Sequence, residues 1–168
     1  MSPIGLPFVG IARLSCSVMS AALLLTFQSV SAQIMLSGNE SKIDLDPGTA
    51  TVIPNAKPDS ISILDFSTFP PNVEHFMDIP NSVIGPPSNI AITPDGKLAL
   101  IANSLKIDPN DTSLWIPESY VHVMDLTGGV LKSGSKPKVI GTVTTQAQPS
   151  GISITPDGKI ALVANRAA

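Results

Sequence analysis

Two stretches of this chain share one alternation of apolar and small or polar positions. Asn89–Thr93 and Gly151–Thr155 each place Ile at every second residue, the period of a strand with one face turned to a core. Both lead into Pro-Asp-Gly, at Pro94, Asp95, Gly96 and at Pro156, Asp157, Gly158. Pro presets φ, Asp bonds local backbone and Gly supplies positive φ, so each predicts a tight turn. LALIAN and IALVAN follow, ending at Asn103 and Asn165, and read as strands buried on both faces. The two copies, Pro86–Ser104 and Gln148–Arg166, align without a gap at an offset of 62, the signature of a repeat architecture.

Further strands repeat in the same sense. Asp59–Phe66 (DSISILDF) matches Ser119–Leu126 (SYVHVMDL), with Asp65 aligned to Asp125. Thr51–Asn55 (TVIPN) precedes the first of these and matches Ala99–Asn103 (ALIAN). An outer strand over Lys138–Thr144 has its counterpart near Val73–Ile79. One unit is therefore expected to be a meander of four short strands. Asn55 to Asp65 spans 10 residues and Asn103 to Asp125 spans 22, so the second unit reads as carrying 12 inserted residues, about Ser104–Glu118. Without them the expected period is about 48–50 residues, in the range of four-stranded propeller blades.

The segments LIAN, LVAN and VIPN, each followed by a strand ending in Leu-Asp or Met-Asp where that strand is present, resemble the YVTN-type β-propeller repeat, as does PSGISITPDGK. The resemblance covers Thr49–Asn165. Leu or Val stands for the motif's Tyr, Ala or Pro for its Thr, and Asn89 for a usual Gly. It implies an all-β chain, a β-propeller of four-stranded meander blades. The expected organisation is a lead-in over 33–48, a partial blade over 49–80, a full blade over 88–144 with its inserted loop at 104–118, and a truncated blade over 149–168. Two to two and a half blades do not close a ring of about four to eight. The expectation is thus the N-terminal part of a longer protein, or several chains completing one ring. The lactonase-like group of these propellers includes 6-phosphogluconolactonase and carboxymuconate-cyclising enzymes, and a lactonase-like hydrolase or cycloisomerase is what that kinship implies.

Residues 1–32 read differently. Arg13 precedes an apolar run of ten, Val18–Phe27, and Val30-Ser31-Ala32 offers small residues for signal peptidase. This pattern predicts a secretory leader cleaved after Ala32, hence a periplasmic or secreted protein with no stable membrane insertion after cleavage. Cys16, the only cysteine, lies in that leader, so disulfides and thiolate metal sites are excluded from the rest. The chain carries a formal charge of −3 and loses Arg13 with the leader; with no basic run left, nucleic acid is not an expected partner.

Strands in a meander alternate direction, so the Pro-Asp-Gly turns share one end and the insertion lies at the other. That second end carries the most varied loops, and binding concentrates on such loops. Asp108, Asn110 and Asp111 either offer oxygens to Ca²⁺ or close an Asp-Pro-Asn-Asp turn; their spacing is not that of a calcium loop, so the turn is preferred. Trp115 either anchors the insertion or presents an aromatic ring to a ligand. His122 reads as a contact between blades and His75 as structural. Asp65, Asp125, Asp95, Asp157 and the series Asn55, Asn103 and Asn165 recur from unit to unit and so read as scaffold rather than catalysts. No residue pattern marks a nucleophile, a metal site or a cofactor loop. The reading favoured by sequence is an exported scaffold that binds a protein or small-molecule ligand on its insertion face.

Overall fold

The structure, a computed structural model, describes residues 34–46, 48–82, 88–128 and 136–167. The expected leader lies outside the described residues. The described chain is all-β, with eleven strands and no helix: β1 (Ile34–Asn39), β2 (Ile43–Asp44), β3 (Thr51–Val52), β4 (Ser60–Asp65), β5 (Asn72–Met77), β6 (Ile90–Ile92), β7 (Leu98–Ile107), β8 (Trp115–Asp125), β9 (Lys138–Thr144), β10 (Pro149–Ile154) and β11 (Ala161–Asn165). They form a first sheet ordered β1-β4-β5, a second ordered β6-β7-β8-β9, a third pair β10-β11, and a small hairpin β2-β3. All the strand pairings are antiparallel. The described strands do not close into a ring.

The two Pro-Asp-Gly turns take the same shape. Gly96 and Gly158 have φ of 69° and 70°, a region a side chain resists. Asp95 Oδ1 accepts from Thr93 Oγ1 at 2.7 Å and from the Lys97 amide at 3.1 Å; Asp157 does the same with Thr155 and Lys159. The hydrogen bonds favour the charged form, so both carboxyls titrate below the ordinary aspartate range. Asp65 and Asp125 likewise accept from the amides of Ser67 and Thr127, each at 2.8 Å. These repeated residues fasten turns.

The core lies where the first sheet meets the second. Ile61 and Ile63 of β4 pack with Ile79, Ala99, Ile101, Met124 and Leu126, all buried. Leu36 and Phe76 flank them from β1 and β5, and Ile90 and Ile92 from β6. Each fully buried aliphatic side chain contributes about 1.5–3 kcal/mol relative to exposure. Gly38 is required by this contact: a Cβ there would sit 2.7 Å from Asn81 Oδ1 and 2.9 Å from Ile90 Cδ1.

The first sheet differs from the sequence expectation. Thr51–Asn55 does not pair with β4. Thr51 and Val52 pair with Asp44 and Ile43, and the place beside β4 belongs to β1, within the expected lead-in. Pro54 and Pro58 explain this: neither has an amide hydrogen for a ladder between β4 and a second neighbour. Asn39 faces Ser60 as Asn103 faces Tyr120, so Asn39 and not Asn55 is the first member of the Asn103/Asn165 series. Asn55 is a loop residue at φ 56°.

This register exposes a second repeat. Asn39-Glu40-Ser41-Lys42-Ile43-Asp44 corresponds to Asn103-Ser104-Leu105-Lys106-Ile107-Asp108 at an offset of 64. Each Asn-x-x-Lys-Ile-Asp segment opens a hairpin, β2-β3 in the first unit and the outer halves of β7 and β8 in the second. The 12 residues are therefore not an insertion peculiar to the second unit, and the period is 64 then 62 rather than about 50. Nor is 104–118 a loop: Leu105, Lys106 and Ile107 pair with Pro117, Ile116 and Trp115 beyond a bulge at Asn103/Leu105.

The two lysines of this repeat are held differently. Lys42 Nζ meets Asp59 Oδ2, Glu40 Oε1 at 3.3 Å and the Asn81 carbonyl at 3.1 Å, with its side chain only 12% exposed. Lys106 Nζ meets Glu118 Oε2 at 2.8 Å with its side chain 48% exposed. Replacing one buried partner strands the other charges, whereas an exposed pair is screened. Lys42→Met is expected to cost about 3–5 kcal/mol. Lys106→Met should cost no more than about 1 kcal/mol. Urea unfolding of both variants checks the contrast.

Candidate functional site

The end of the sheets opposite the Pro-Asp-Gly turns holds a cleft of about 810 Å³ between the two equivalent hairpins. Its first wall is Val52–Asp59, running from β3 to the start of β4. Its second wall is the extension of β7 and β8, with Leu105, Lys106, Ile107, Thr112, Ser113, Glu118 and Tyr120. Lys42 and Asn103, both from the repeated segment, line its base. A cavity of about 900 Å³ beside β1 and β6 is lined mainly by aliphatic side chains and holds no titratable group. A shallower one of about 600 Å³ beside β5 is lined by Glu74, His75, Asp78, Lys136 and Lys138.

Most charges in the cleft are answered within it. Lys42 is fastened to Asp59, whose Oδ1 accepts from the Ser41 amide at 3.1 Å and whose Oδ2 accepts from the Asn81 amide at 3.1 Å. Glu40, on the same lysine, is pushed up by burial, partly countered by the Lys42 charge. Lys106 is raised by its hydrogen bond to Glu118 and then by that carboxylate's charge. Lys57 is exposed and lies in the first wall with no ion pair among the described residues.

Tyr120 stands at the centre of this arrangement. Its Oη accepts from Asn103 Nδ2 at 3.0 Å, and Asn103 Oδ1 in turn accepts from Ser82 Oγ at 2.8 Å. The phenol proton is left to donate to whatever occupies the cleft. Burial pushes this phenol above its ordinary range, partly offset by the Asn103 amide, so it stays protonated. Ser82 is locked by the amides of Ser104 and Leu105, each 3.0 Å from its Oγ. The chain thus holds Tyr120 through Asn103 and Ser82, all on paired backbone.

The sequence-derived candidates lie beside the cleft rather than in it. Asp108, Asn110 and Asp111 sit at the exposed tip of the second hairpin. Asp108 Oδ1 accepts from the Asn110 amide at 2.8 Å, and Asp111 Oδ1 from Ser113 Oγ at 2.6 Å and its amide at 3.0 Å. These are turn bonds, and they lower the Asp111 carboxyl. Asp44 repeats the Asp108 turn by accepting from the Asp46 amide at 2.9 Å. Trp115 donates from Nε1 to the Ala50 carbonyl at 3.2 Å, which ties the second hairpin to the first. Among the described residues no three His, Cys, Asp or Glu side chains converge as metal ligands. The Asn165 side chain is exposed and donates from Nδ2 to the Val163 carbonyl at 3.4 Å.

Sequence reasoning passed over Tyr120, Lys57, Lys42 and Asp59. The signal that would have found the cleft is the repeated Lys-Ile-Asp, hidden because the two halves were aligned through VIPN instead. His75 is exposed on β5, with its Nδ1 2.8 Å from Ser62 Oγ, which also accepts from Asn39 Nδ2 at 2.9 Å. His122 packs edge-on to Tyr120 with ring centroids 4.9 Å apart, behind the cleft. Both its ring nitrogens are buried without a hydrogen-bond partner of good geometry. No family model, no curated protein and no solved structure matches this chain.

Burial lowers the His122 pKa below 6.5, and the Pro80 carbonyl offsets this only in part. Between the two values the unfolded chain binds more protons than the folded one, so stability rises with pH there. The fold should therefore lose stability as pH falls below about 6.5. His122→Leu should flatten that dependence between pH 7.5 and 5.5. Denaturation midpoints across that range provide the measurement; an unchanged slope in the variant would show that another group is responsible.

Proposed function

We propose that this chain is an exported repeat protein of the β-propeller type and that it acts as a binding scaffold through the cleft between its successive hairpins. The observation that carries the reading is the cleft itself. Its walls come from two equivalent hairpins, and Lys42 and Lys106 are held by carboxylates of the same cleft. What faces a ligand is then a phenol donor, the free Lys57 ammonium, the exposed Asp78 side chain, amide groups and apolar wall from Val52, Ile53, Pro54 and Ile107. Apolar walls with a few oriented polar groups recognise a ligand without needing to activate it.

The propeller reading is supported by the four-strand antiparallel order of the second sheet, by the recurrence of its turns at an offset of 62, and by the YVTN-like segments. On this reading the second sheet is one blade, and the first and third are parts of neighbouring blades in an incomplete ring. Export rests on the leader pattern of residues 1–32, and on this reading the protein works in the periplasm or outside the cell. N-terminal sequencing of the protein recovered from outside the cytoplasm should begin at Gln33.

A lactonase-like hydrolase or cycloisomerase is the second reading, favoured by the resemblance of PSGISITPDGK to that group of propellers. A panel of γ- and δ-lactones separates the two. The scaffold reading expects hydrolysis no faster than in buffer, and turnover that disappears on Tyr120→Phe would establish the enzyme instead. For binding, thermal-shift screening against short peptides and oligosaccharides should find ligands whose stabilisation is lost in Tyr120→Ala and Lys57→Ala but kept in Asp111→Ala. Ligands indifferent to all three would place the site elsewhere.

A further inference from the structure

Most charges that line the hairpin cleft are neutralised inside it, and the exceptions are of both signs. Lys42 is held by Asp59, Glu40 and the Asn81 carbonyl, and Lys106 by Glu118. Asp59 also accepts from the Ser41 and Asn81 amides, and Glu118 Oε1 from the Ser119 amide at 3.0 Å. Lys57 and Asp78 are the two charged lining groups that remain. Both are exposed, and neither side chain makes a hydrogen bond or an ion pair among the described residues. Asp78 also borders the shallower cavity beside β5, yet it pairs with neither Lys136 nor Lys138 there.

The backbone sets Asp78 apart from its sheet. Ser60 pairs with Met77, but the next bond runs from the Ile79 amide to the Asp59 carbonyl at 3.3 Å. Asp78 is therefore the extra residue of a bulge, at φ 61°. A bulge at the end of a ladder re-aims a side chain, and this one borders the cleft. Asn55, at φ 56°, lines the same cleft. Backbone of this kind is uncommon outside glycine and gathers at ligand sites.

A ligand has to answer both free groups. An anion meets Lys57 but is repelled by Asp78, and a cation meets the reverse. A neutral ligand covering this wall strips water from both ions and returns nothing. A carboxylate and an ammonium on one ligand satisfy each in a charge-assisted bond. Between its charges such a ligand needs an acceptor for the Tyr120 proton and an apolar body for Val52, Ile53, Pro54 and Ile107. Lys57 lies two residues before Asp59 and Asp78 one before Ile79, to either side of the bond that joins those segments. The charges are thus spaced by a few residues of extended chain, which a single amino acid does not span. We propose that the cleft takes a short peptide of about two or three apolar residues with both ends free. Its carboxylate meets Lys57, its ammonium meets Asp78, and a peptide carbonyl accepts from Tyr120. The volume of about 810 Å³ suits a ligand of this size. This inference rests on the reading of the cleft as a binding site and narrows it to one ligand chemistry.

Isothermal titration calorimetry of the full chain against a panel of apolar dipeptides and tripeptides tests the proposal. Free-ended peptides from the panel should bind. Acetylating the amino end or amidating the carboxyl end should each weaken binding about 10-fold or more. Lys57→Met should weaken the free peptide as much and make amidation harmless. Asp78→Asn should do the same and make acetylation harmless, because asparagine tolerates the same backbone. Circular dichroism and urea midpoints confirm that both variants fold. Blocked peptides that bind as tightly as free ones overturn the proposal, as does binding indifferent to both variants. Free leucine binding as tightly as the best tripeptide overturns it too. If no peptide in the panel binds, the proposal fails, and the cleft reading is then judged separately. A saccharide whose binding is lost in Tyr120→Ala would leave the cleft a binding site for another ligand; the absence of any ligand that depends on Tyr120 would remove that reading as well.

Discussion

Everything in this molecule depends on one sheet-to-sheet contact, the stacking of Ile61 and Ile63 against Ala99, Ile101 and Met124. A sheet of short strands cannot bury its apolar faces alone, so each sheet of a repeat takes its stability from its neighbour. The contact sets the distance of approach, which Gly38 permits and a Cβ would forbid. It also carries the polar end of the molecule. Asp59 and Asn81 bond each other at the polar end of the first sheet and hold Lys42 of the first hairpin, while Ser82, next in the chain, bonds Asn103, Ser104 and Leu105 of the second sheet.

The cleft is a consequence of that stacking. Two hairpins spring from equivalent Asn-x-x-Lys-Ile-Asp segments, and because the sheets beneath them pack face to face, the hairpins stand side by side with a gap. The tie between Trp115 and Ala50 spans the hairpins and fixes their separation. Equivalent positions have diverged in use. Lys42 is a buried anchor where Lys106 is a half-exposed rim charge, and Ser60 packs behind Asn39 where Tyr120 offers a phenol. A repeat supplies scaffold twice over, and the differences between its copies create the site.

Much of the strand pattern was legible because it depends on near neighbours. Alternating Ile, the Thr-Pro-Asp-Gly-Lys turn and the Asp-x-Ser/Thr turns at Asp65 and Asp125 are local chemistry, and each formed where the residues called for it. Local chemistry also decided Asp108, Asn110 and Asp111 in favour of a turn. The first sheet was misread because VIPN imitates LIAN in composition. Choosing between Asn39 and Asn55 as the partner of β4 required knowing which segment had free backbone donors beside it. Two prolines removed that capacity from one of them.

By itself, then, the sequence determined an all-β chain, its two matching turns, the order of strands in the second sheet and its repetition, since each follows from spacing and from residues within a few positions of one another. Tertiary structure decided the length of the repeat, the pairing of β1, the burial of Lys42 and the placing of Tyr120, Lys57 and Asp59 around one cleft. Those are facts about segments brought together across tens of residues. They are settled by which backbone groups find partners and which faces exclude water, and neither is written in any one stretch of chain.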